Sequence, residues 1–300
     1  MKILLFGKSG QVGWELQRSL APLGELVALD TRSETLCGDF TNLPGIAQAV
    51  RSVAPDIIVN AAAYTAVDKA ESEAELAHTI NALAPGVLAQ EAKQLGAWLI
   101  HYSTDYVFDG SGEKPWLETN AIGPLSVYGK TKLQGEEAIC DASCQHLIFR
   151  TSWVYAARGG NFAKTMLRLA QARDSLTVID DQIGAPTGAD LLADIAAHAI
   201  RSALQNPSLS GLYHLTADGE TSWHGYAKFV IDLARQAGVD IKVTQDAILP
   251  VPTSAFPLPA PRPKNSRLDT RKLKNTFGLS LPRWQQGVER MLIEILEKKS

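Results

Sequence analysis

Two residues near the middle of the sequence have the types and the spacing for proton transfer. Tyr128 and Lys132 lie four positions apart in LSVYGKTKLQGE, so in a helix both side chains project from one face. A phenol has a pKa of about 10, and acid or base catalysis near neutral pH requires a shift of roughly 3 units. A nearby ammonium group favours the phenolate, so we expect Lys132 to lower the pKa of Tyr128. Because this spacing is common by chance, a solvated helix face is the alternative.

Polar residues also follow a predicted strand upstream of this pair. The segment HYSTDYVFDG places Tyr102, Ser103 and Thr104 at the end of the strand, where a hydroxyl can hydrogen-bond a carbonyl that is being reduced. Thr104 is therefore predicted as a third catalytic residue and Tyr102 as a cofactor contact. Asp105 and Tyr106 come next and are predicted to line a substrate pocket.

A glycine-rich turn follows the first predicted strand in KILLFGKSGQVGWEL. Gly7 permits a tight turn, Gly10 lets a diphosphate approach the backbone, and Gly13 lets the next helix pack closely on the strand. The spacing is one residue longer than the commonest dinucleotide fingerprint and is weak by itself, but its place in a strand–turn–helix unit favours a dinucleotide site. Gln11 and Val12, between the last two glycines, are included in that site.

An acidic residue ends the second predicted strand, LVALD. Asp30 can accept hydrogen bonds from ribose hydroxyls, which favours NAD, whereas Arg32 can pair with the 2′-phosphate of NADP. The two together predict tolerance of both NADH and NADPH; for Asp30, a loop acid that caps the next helix is the alternative. The remaining predicted cofactor contacts are Asp39 and Phe40 in GDF, and Ala62, Ala63, Tyr64 and Thr65 in NAAAYT.

Short apolar runs alternate with longer amphipathic segments through the first half of the chain. This repetition predicts an α/β fold, a Rossmann-like doubly wound parallel sheet whose strand ends line a cofactor crevice. The predicted strands are KILLF, LVAL, DIIVNAAA, WLIHYS and HLIFRTSWVY, and helices are predicted from Gln11, after Thr41, from Ser72, around Tyr128 and from Asn161.

The alternation loosens from about residue 155. Six prolines between residues 250 and 263 predict a stiff ordered loop, since proline suits neither a helix interior nor a central strand. We predict a dinucleotide-binding domain over residues 1–155 and a smaller α/β substrate lobe over residues 156–300, with some of its segments returning to the main sheet. The helices predicted in that lobe lie near 189–204, 222–237 and 282–298.

Composition and charge exclude several classes of function. The net charge is -3, so no global positive field exists to attract nucleic acid or an anionic membrane. No stretch has the ~18 apolar residues of a membrane span, and the first apolar run is too short for a signal peptide. Three cysteines without metal-ligand spacing suit a reducing compartment, so we expect a cytoplasmic protein.

The order of these features, a glycine fingerprint, a strand-end Ser/Thr and then YxxxK, resembles the extended short-chain dehydrogenase/reductase superfamily. Within it, GQVGWEL, NAAAYTAVDKAE, STDYVFDG, YGKTKLQGE, RTSWVY, DQIGAPT and RPKNSRLD resemble the dTDP-4-dehydrorhamnose reductase family over nearly the whole chain. The resemblance implies an oxidoreductase that uses NADPH or NADH to reduce the C4 keto group of a dTDP-linked 4-keto-6-deoxy-L-sugar. Its product would be dTDP-L-rhamnose, destined for O-antigen or another surface polysaccharide. We expect Tyr128 to protonate the sugar oxygen as hydride reaches C4.

Related classes remain as alternatives. Sugar-nucleotide 4,6-dehydratases resemble this chain but carry a glutamate after the aspartate, because removal of water needs both an acid and a base. Here the sequence reads Thr104, Asp105, Tyr106, which lacks that base. Two alternative functions remain. The protein could be another nucleotide-sugar reductase or epimerase, or a regulatory subunit that binds NADP and catalyses no reaction.

The resemblance also implies contacts that are less specific. Val67 and Asp68 are expected substrate contacts on a loop at a strand end. Trp153 is expected either to stack on the sugar or to belong to the core. Arg262 opens a segment with six basic residues against one acid and is the expected diphosphate contact, with a solvated loop as the alternative. The resemblance further suggests a homodimer with a structural Mg²⁺ at the contact between the two subunits. The candidate ligands are Glu15, Glu289, Glu294 and Glu297, and the alternative for each is an ordinary surface salt bridge.

Overall fold

The structure, a computed structural model, describes residues 1–297 and is built around a parallel sheet. Its strands are β1 (Lys2–Phe6), β2 (Glu25–Leu29), β3 (Ile57–Asn60), β4 (Trp98–Thr104), β5 (Gln145–Thr151), β6 (Val154–Tyr155), β7 (Leu176–Ile179), β8 (Ile183–Gly184), β9 (Thr187–Gly188), β10 (Gly211–His214), β11 (Thr221–Ser222) and β12 (Ile248–Val251). Six of them form one sheet in the order β10-β5-β4-β3-β1-β2, with every neighbouring pair parallel. The direction of winding reverses between β1 and β3, so the predicted doubly wound α/β fold is confirmed.

The helices alternate with these strands and cover both faces of the sheet. The α-helices are α1 (Gln11–Leu20), α2 (Leu43–Val53), α3 (Val67–Ala70), α4 (Ala74–His78), α5 (Ala84–Leu95), α6 (Val127–Ala142), α7 (Phe162–Ala172), α8 (Ala189–Gln205), α9 (Trp223–Gln236), α10 (Arg271–Phe277) and α11 (Trp284–Glu297). The single helix predicted from Ser72 is divided, because a π-helical turn over Thr79–Leu83 separates α4 from α5. The predicted end of the last helix, at residue 298, lies outside the described residues.

Two apolar cores hold the sheet between its helices. The strands are apolar on both faces, which is the pattern of a sheet covered on both sides. Leu5 and Val59 face a core that includes Leu16 of α1 and a row of small and branched residues on α8. The opposite face packs against α2 and α5. These cores place the carboxyl ends of β1, β3, β4 and β5 along one edge of the sheet.

The second half of the chain contributes to both the sheet and a separate core. Strand β10 completes the main sheet beside β5, and α8 packs on α1. Helices α7, α9 and α11 form their own aromatic core with Tyr226 and Trp284, and β12 pairs with β7, with Pro250 accommodated in this two-stranded sheet. The domain boundary near residue 155 stays a prediction. In the described part of the chain, no helix has the length and apolar character needed to cross a membrane.

Candidate active site

The carboxyl ends of four neighbouring strands border a cleft of about 380 Å³. It lies where the winding of the sheet reverses, between β1 and β3, the usual ligand position in such folds. The cleft brings the glycine loop after β1 together with the tyrosine and lysine of α6. The predicted site residues that line it are Gly10, Gln11, Val12, Ala63, Thr65, Val67, Tyr102, Thr104, Asp105, Tyr106, Tyr128, Lys132 and Trp153.

Residues around the end of β5 also line the cleft and were not singled out by sequence reasoning. Thr151 is the last residue of β5 and pairs with Thr104, and Ser152 and Val154 follow at the same edge of the sheet. The hydroxyls of Ser103 and Thr151 are buried without a hydrogen-bond partner in the described residues. A search for polar residues at every strand end, rather than at β4 alone, would have found Thr151 and Ser152.

The start of α6 is built to bring Tyr128 close to the end of β4. The Ser126 hydroxyl caps the helix by accepting a hydrogen bond from the Gly129 backbone N–H at 3.1 Å. A Cβ atom on Gly129 would lie 2.3 Å from the Tyr106 carbonyl oxygen, so only glycine allows this approach. The Tyr106 and Tyr128 rings meet edge to face, with centroids 5.4 Å apart. The glycine of VYGK therefore seats the phenol in the cleft.

The pKa of the Tyr128 phenol moves in the direction opposite to the predicted one. Burial raises it to about 12, and a hydrogen bond with Thr104 opposes that rise only in part. The charge of Asp105 raises it further, and Lys132 is not among the groups that lower it. The expected downward shift was therefore wrong for this structure, and the phenol is protonated at neutral pH, as a proton donor must be.

Lys132 is buried below the cleft, on the helical turn after Tyr128. Its Nζ donates a hydrogen bond to the Tyr102 carbonyl oxygen at 2.6 Å and lies 3.2 Å from Nε2 of His101. Burial lowers the pKa of Lys132 to about 8, against the opposing charge of Glu136. The Tyr102 hydroxyl points away, toward the Leu192 carbonyl oxygen, so its backbone is what supports the lysine.

Thr104 and Asp105 form a small polar cluster beside the phenol. The Thr104 hydroxyl accepts a hydrogen bond from the Tyr106 backbone N–H at 3.2 Å and donates one to Asp105 Oδ1 at 3.2 Å. Burial raises the pKa of Asp105 to about 6, with hydrogen bonds from Ser266 and Thr104 acting in the opposite direction. The predicted places of both residues at the cleft are therefore consistent with the geometry.

The raised pKa of Asp105 makes its contribution to stability depend on pH. A carboxyl whose pKa is higher in the folded state stabilises the fold below pH 4 and loses that contribution as the pH rises through about 6. Replacing it by a neutral amide in Asp105→Asn should therefore stabilise the fold at pH 8, by up to roughly 3 kcal/mol, and give no such gain at pH 4. Urea unfolding at the two pH values measures the difference.

Asp109→Asn is the matched control for this experiment. Hydrogen bonds from Ser111 lower the pKa of the exposed Asp109 carboxyl, so its replacement should bring no gain in stability at pH 8. An Asp105→Asn variant with the same unfolding midpoint as the parent at pH 8 would contradict the burial argument.

The glycine loop has the shape that a dinucleotide diphosphate requires. Gly7 has a positive φ of 86°, and a Cβ on Gly13 would lie 2.0 Å from the Gly7 carbonyl oxygen, so helix and strand touch through bare backbone. Gly10 is the N-cap residue of α1 and provides no side-chain cap, which leaves the first N–H groups of the helix available at the cleft. These residues fit a bound nicotinamide dinucleotide.

Several predicted cofactor residues lie outside the cleft lining. Burial acts to raise the pKa of Asp30, but the Arg32 backbone N–H and the charge of Lys8 lower it overall. The Asp39 carboxylate accepts a hydrogen bond from the Thr41 backbone, and the Phe40 ring packs on Phe6 in the core. Because the Phe40 ring is buried, a cofactor contact by this side chain is not supported by its position.

The end of β3 is also organised by hydrogen bonds. The Ala62 backbone N–H donates to Asn60 Oδ1 at 3.0 Å. Tyr64 turns its hydroxyl to Glu73 at 2.5 Å and does not line the cleft, whereas Ala63 and Thr65 do. The predicted contact by the Tyr64 side chain is therefore not supported by its position.

A second cavity of about 260 Å³ adjoins the first and shares Tyr106 with it. Its wall includes Arg262, whose guanidinium donates to Asp68 Oδ2 at 2.7 Å, and Trp223, whose ring is stacked on Trp153 at 3.6 Å between centroids. Arg262 and Asp68, which were predicted separately, thus form one ion pair. Trp223 was not predicted, because no local signal marks a residue that only long-range packing brings to the site.

The candidate magnesium ligands do not form a site within the described residues. Glu15 and Glu294 border a cavity of about 40 Å³ that also contains Arg290, and Glu289 and Glu297 line a different groove. In residues 1–297, no three acidic, histidine or cysteine side chains are grouped to hold a metal ion. A magnesium ion and a homodimer stay predictions.

Comparison with known proteins gives similarity over nearly the whole chain. Residues 1–297 match the family model for the RmlD substrate binding domain. The chain is 62% identical over 295 residues to the dTDP-4-dehydrorhamnose reductase of Salmonella typhimurium (strain LT2), and 61% identical over 295 residues to that of Escherichia coli (strain K12), with 98% of each chain covered in both cases. It is 35% identical to the Bacillus anthracis str. Ames dTDP-4-dehydrorhamnose reductase in complex with NADP, with a TM-score of 0.85 and coverage of 98% of this chain and 99% of the other. The matched region includes the entire cleft.

Proposed function

Because the chain belongs to the dTDP-4-dehydrorhamnose reductase family, we propose that it uses NADPH or NADH to reduce the C4 keto group of dTDP-4-dehydro-L-rhamnose. The product of this reduction is dTDP-L-rhamnose, a precursor for surface polysaccharide. The observation that carries the proposal is the meeting of the glycine loop with Tyr128, Lys132 and Thr104 in one cleft. The reaction is an oxidoreduction, with the nucleotide sugar as the partner of the enzyme.

Tyr128 supplies the proton in this proposal. The bound dinucleotide supplies the hydride. The phenol, with its pKa raised by burial, is protonated over the physiological range and donates to the alkoxide that develops on the sugar. Thr104 lies beside it and hydrogen-bonds the same oxygen, while Lys132 holds the nicotinamide-bearing end of the cofactor from below the cleft.

The second cavity accounts for the nucleotide part of the substrate. The wall that Phe162, Trp223 and Phe256 contribute is aromatic and suits a flat base, whereas Arg262 is a cation for the diphosphate. Trp153, which lines the first cleft and stacks on Trp223, lies at the sugar between them. In this arrangement Asp105, Tyr106 and Val67 contact the sugar.

Loss of NADPH absorbance with a panel of nucleotide sugars tests the function. We expect oxidation of the cofactor with dTDP-4-dehydro-L-rhamnose and none with UDP-linked 4-keto sugars. Turnover with a UDP sugar alone would change the substrate, and no oxidation with any of them would favour a cofactor-binding regulatory protein. The same assay with NADH compares the two cofactors.

Replacing Arg262 should weaken binding of the substrate without impairing chemistry. Since hydrogen bonds to charged groups contribute about 1.5–3 kcal/mol, we expect Arg262→Gln to raise the KM for the nucleotide sugar roughly 10- to 100-fold. The value of kcat and the Kd for NADPH should hardly change, because the arginine lies away from the glycine loop. Arg271→Gln is the control, since its exposed guanidinium pairs with Asp269 in the same basic segment. An equal rise in KM in both variants would refute the diphosphate contact.

A further inference from the structure

A chain of buried polar groups runs from the end of β3 to the catalytic helix. Asn60 Nδ2 lies 3.0 Å from His101 Nδ1, and His101 Nε2 lies 3.2 Å from Lys132 Nζ. The three side chains are at most 2% exposed. His101 stands on β4, below the cleft, and has no part in the contacts proposed for the sugar or the cofactor.

The hydrogen bonds among these three side chains determine which nitrogen of His101 carries the proton. A backbone N–H can only donate, so the Ala62 N–H makes Asn60 Oδ1 an acceptor and turns the amide NH2 toward His101. Nδ1 of the imidazole must then accept. His101 is neutral, because its complete burial holds its pKa well below the usual value, and a charge on Lys132 would lower that pKa further. A neutral imidazole with a bare Nδ1 carries its proton on Nε2, the atom that faces Lys132.

We propose that His101 is a positioning residue that opposes protonation of Lys132, by donating its Nε2–H to the amine nitrogen of the lysine. The amine in turn donates to the Tyr102 carbonyl oxygen. If Lys132 were an ammonium group, its N–H would face the N–H of His101 Nε2, and two donors cannot form a hydrogen bond with each other. To accept from it, His101 would have to move its proton to Nδ1, and Asn60 would have to turn over and abandon the Ala62 N–H. The charge of Lys132 is thereby coupled to the backbone at the end of β3.

Other ionisable groups near the chain do not replace this effect. Glu136 on α6 favours the charged lysine, but its carboxylate is held by Arg150 of β5. His146 of β5 acts on His101 only through a weaker charge effect. Tyr128 faces the cleft from the same helix. Of these ionisable groups, His101 is the one whose side chain contacts the lysine nitrogen, so it can distinguish between the two protonation states of Lys132.

The tautomer of His101 can be read in the unmodified protein. In a ¹⁵N spectrum of histidine-labelled protein above the midpoint of the lysine titration, we expect His101 to have a protonated Nε2 and a bare Nδ1. A proton on Nδ1 under those conditions would overturn the proposal. Because no substitution is involved, the result does not depend on whether a variant folds.

A lysine titration then measures the consequence. In protein with ¹³C-labelled lysine, the Cε signal of Lys132 is identified as the one that is missing from the spectrum of Lys132→Met. In the parent protein this signal should titrate with a midpoint of about 8. His101→Gln keeps an amide at the position of Nε2, whose oxygen can accept from the ammonium group, so the midpoint should rise by roughly one pH unit or more. His198→Gln, the same substitution on the distant helix α8, should leave it unchanged. An unchanged midpoint in His101→Gln would overturn the proposal.

The inference rests on the proposed role of Lys132, but its test does not use that role. The titration reports on the effect of His101 whether or not the protein reduces the sugar. Failure of the proposal for His101 is therefore distinguishable from failure of the proposed function. If both hold, the high-pH limb of the kcat/KM profile should move upward in His101→Gln together with the lysine midpoint. A profile that stays in place while the lysine midpoint moves would contradict the role of Lys132 and leave that of His101 standing.

Discussion

Tyr128→Phe should lower kcat by about 10²- to 10⁴-fold, the usual contribution of a positioned proton donor. The substitution removes the hydroxyl alone, since the edge-to-face contact with Tyr106 uses the ring. Both kcat and kcat/KM should fall by the same factor, because the proton is donated only in the transition state. Steady-state kinetics of NADPH oxidation measure the loss, and fluorescence titration should show a nearly unchanged Kd for NADPH.

Tyr213→Phe is the control for this loss. Tyr213 is a buried tyrosine on β10 whose hydroxyl donates to the Leu209 carbonyl oxygen, outside both cavities. Its replacement should leave turnover close to that of the parent. Full turnover in Tyr128→Phe would remove the proton donor from the mechanism, and an equal loss in the two variants would indicate a general effect on folding.

Removing one partner of the buried ion pair between α6 and β5 should destabilise the fold by about 3–5 kcal/mol. Arg150 on β5 donates three hydrogen bonds to the Glu136 carboxylate, at 2.9, 3.2 and 2.6 Å, and both side chains are at most 5% exposed. In Glu136→Leu the guanidinium would stay buried over the Phe108 ring without its counter-charge. Since a domain has only about 5–15 kcal/mol of stability in total, the urea midpoint should fall sharply.

The double variant Glu136→Leu with Arg150→Met separates the pair from its packing. Apolar side chains of similar volume remove both charges together, so much of the stability lost in Glu136→Leu should return. A double variant as unstable as the single one would show that packing at this position, rather than an unpaired charge, dominates. Circular dichroism during urea unfolding is sufficient for the comparison.

Much of the fold and part of the site could be predicted from local pattern. Period and composition are enough to identify the strands and the helices between them, and parallel strands necessarily bring their carboxyl ends to one edge. For the same reason the glycine loop, Thr104 and the Tyr128–Lys132 pair could be expected to meet, and they line one cleft. The break between α4 and α5 was missed, since a π-helical turn leaves no sign in the apolar period.

The sequence by itself determined which groups are available for chemistry: a phenol and an amine on one helical face, a strand-end hydroxyl and a bare glycine turn. Only the tertiary structure decided their protonation and their partners. Burial raises the pKa of Tyr128 and lowers that of Lys132, the reverse of what the pair in isolation predicts for the phenol. Arg262 pairs with Asp68, which is 194 residues away in the sequence, and Lys132 contacts His101, which is 31 residues away. Desolvation and contact are properties of the folded chain, because both depend on which distant segments exclude water from a side chain.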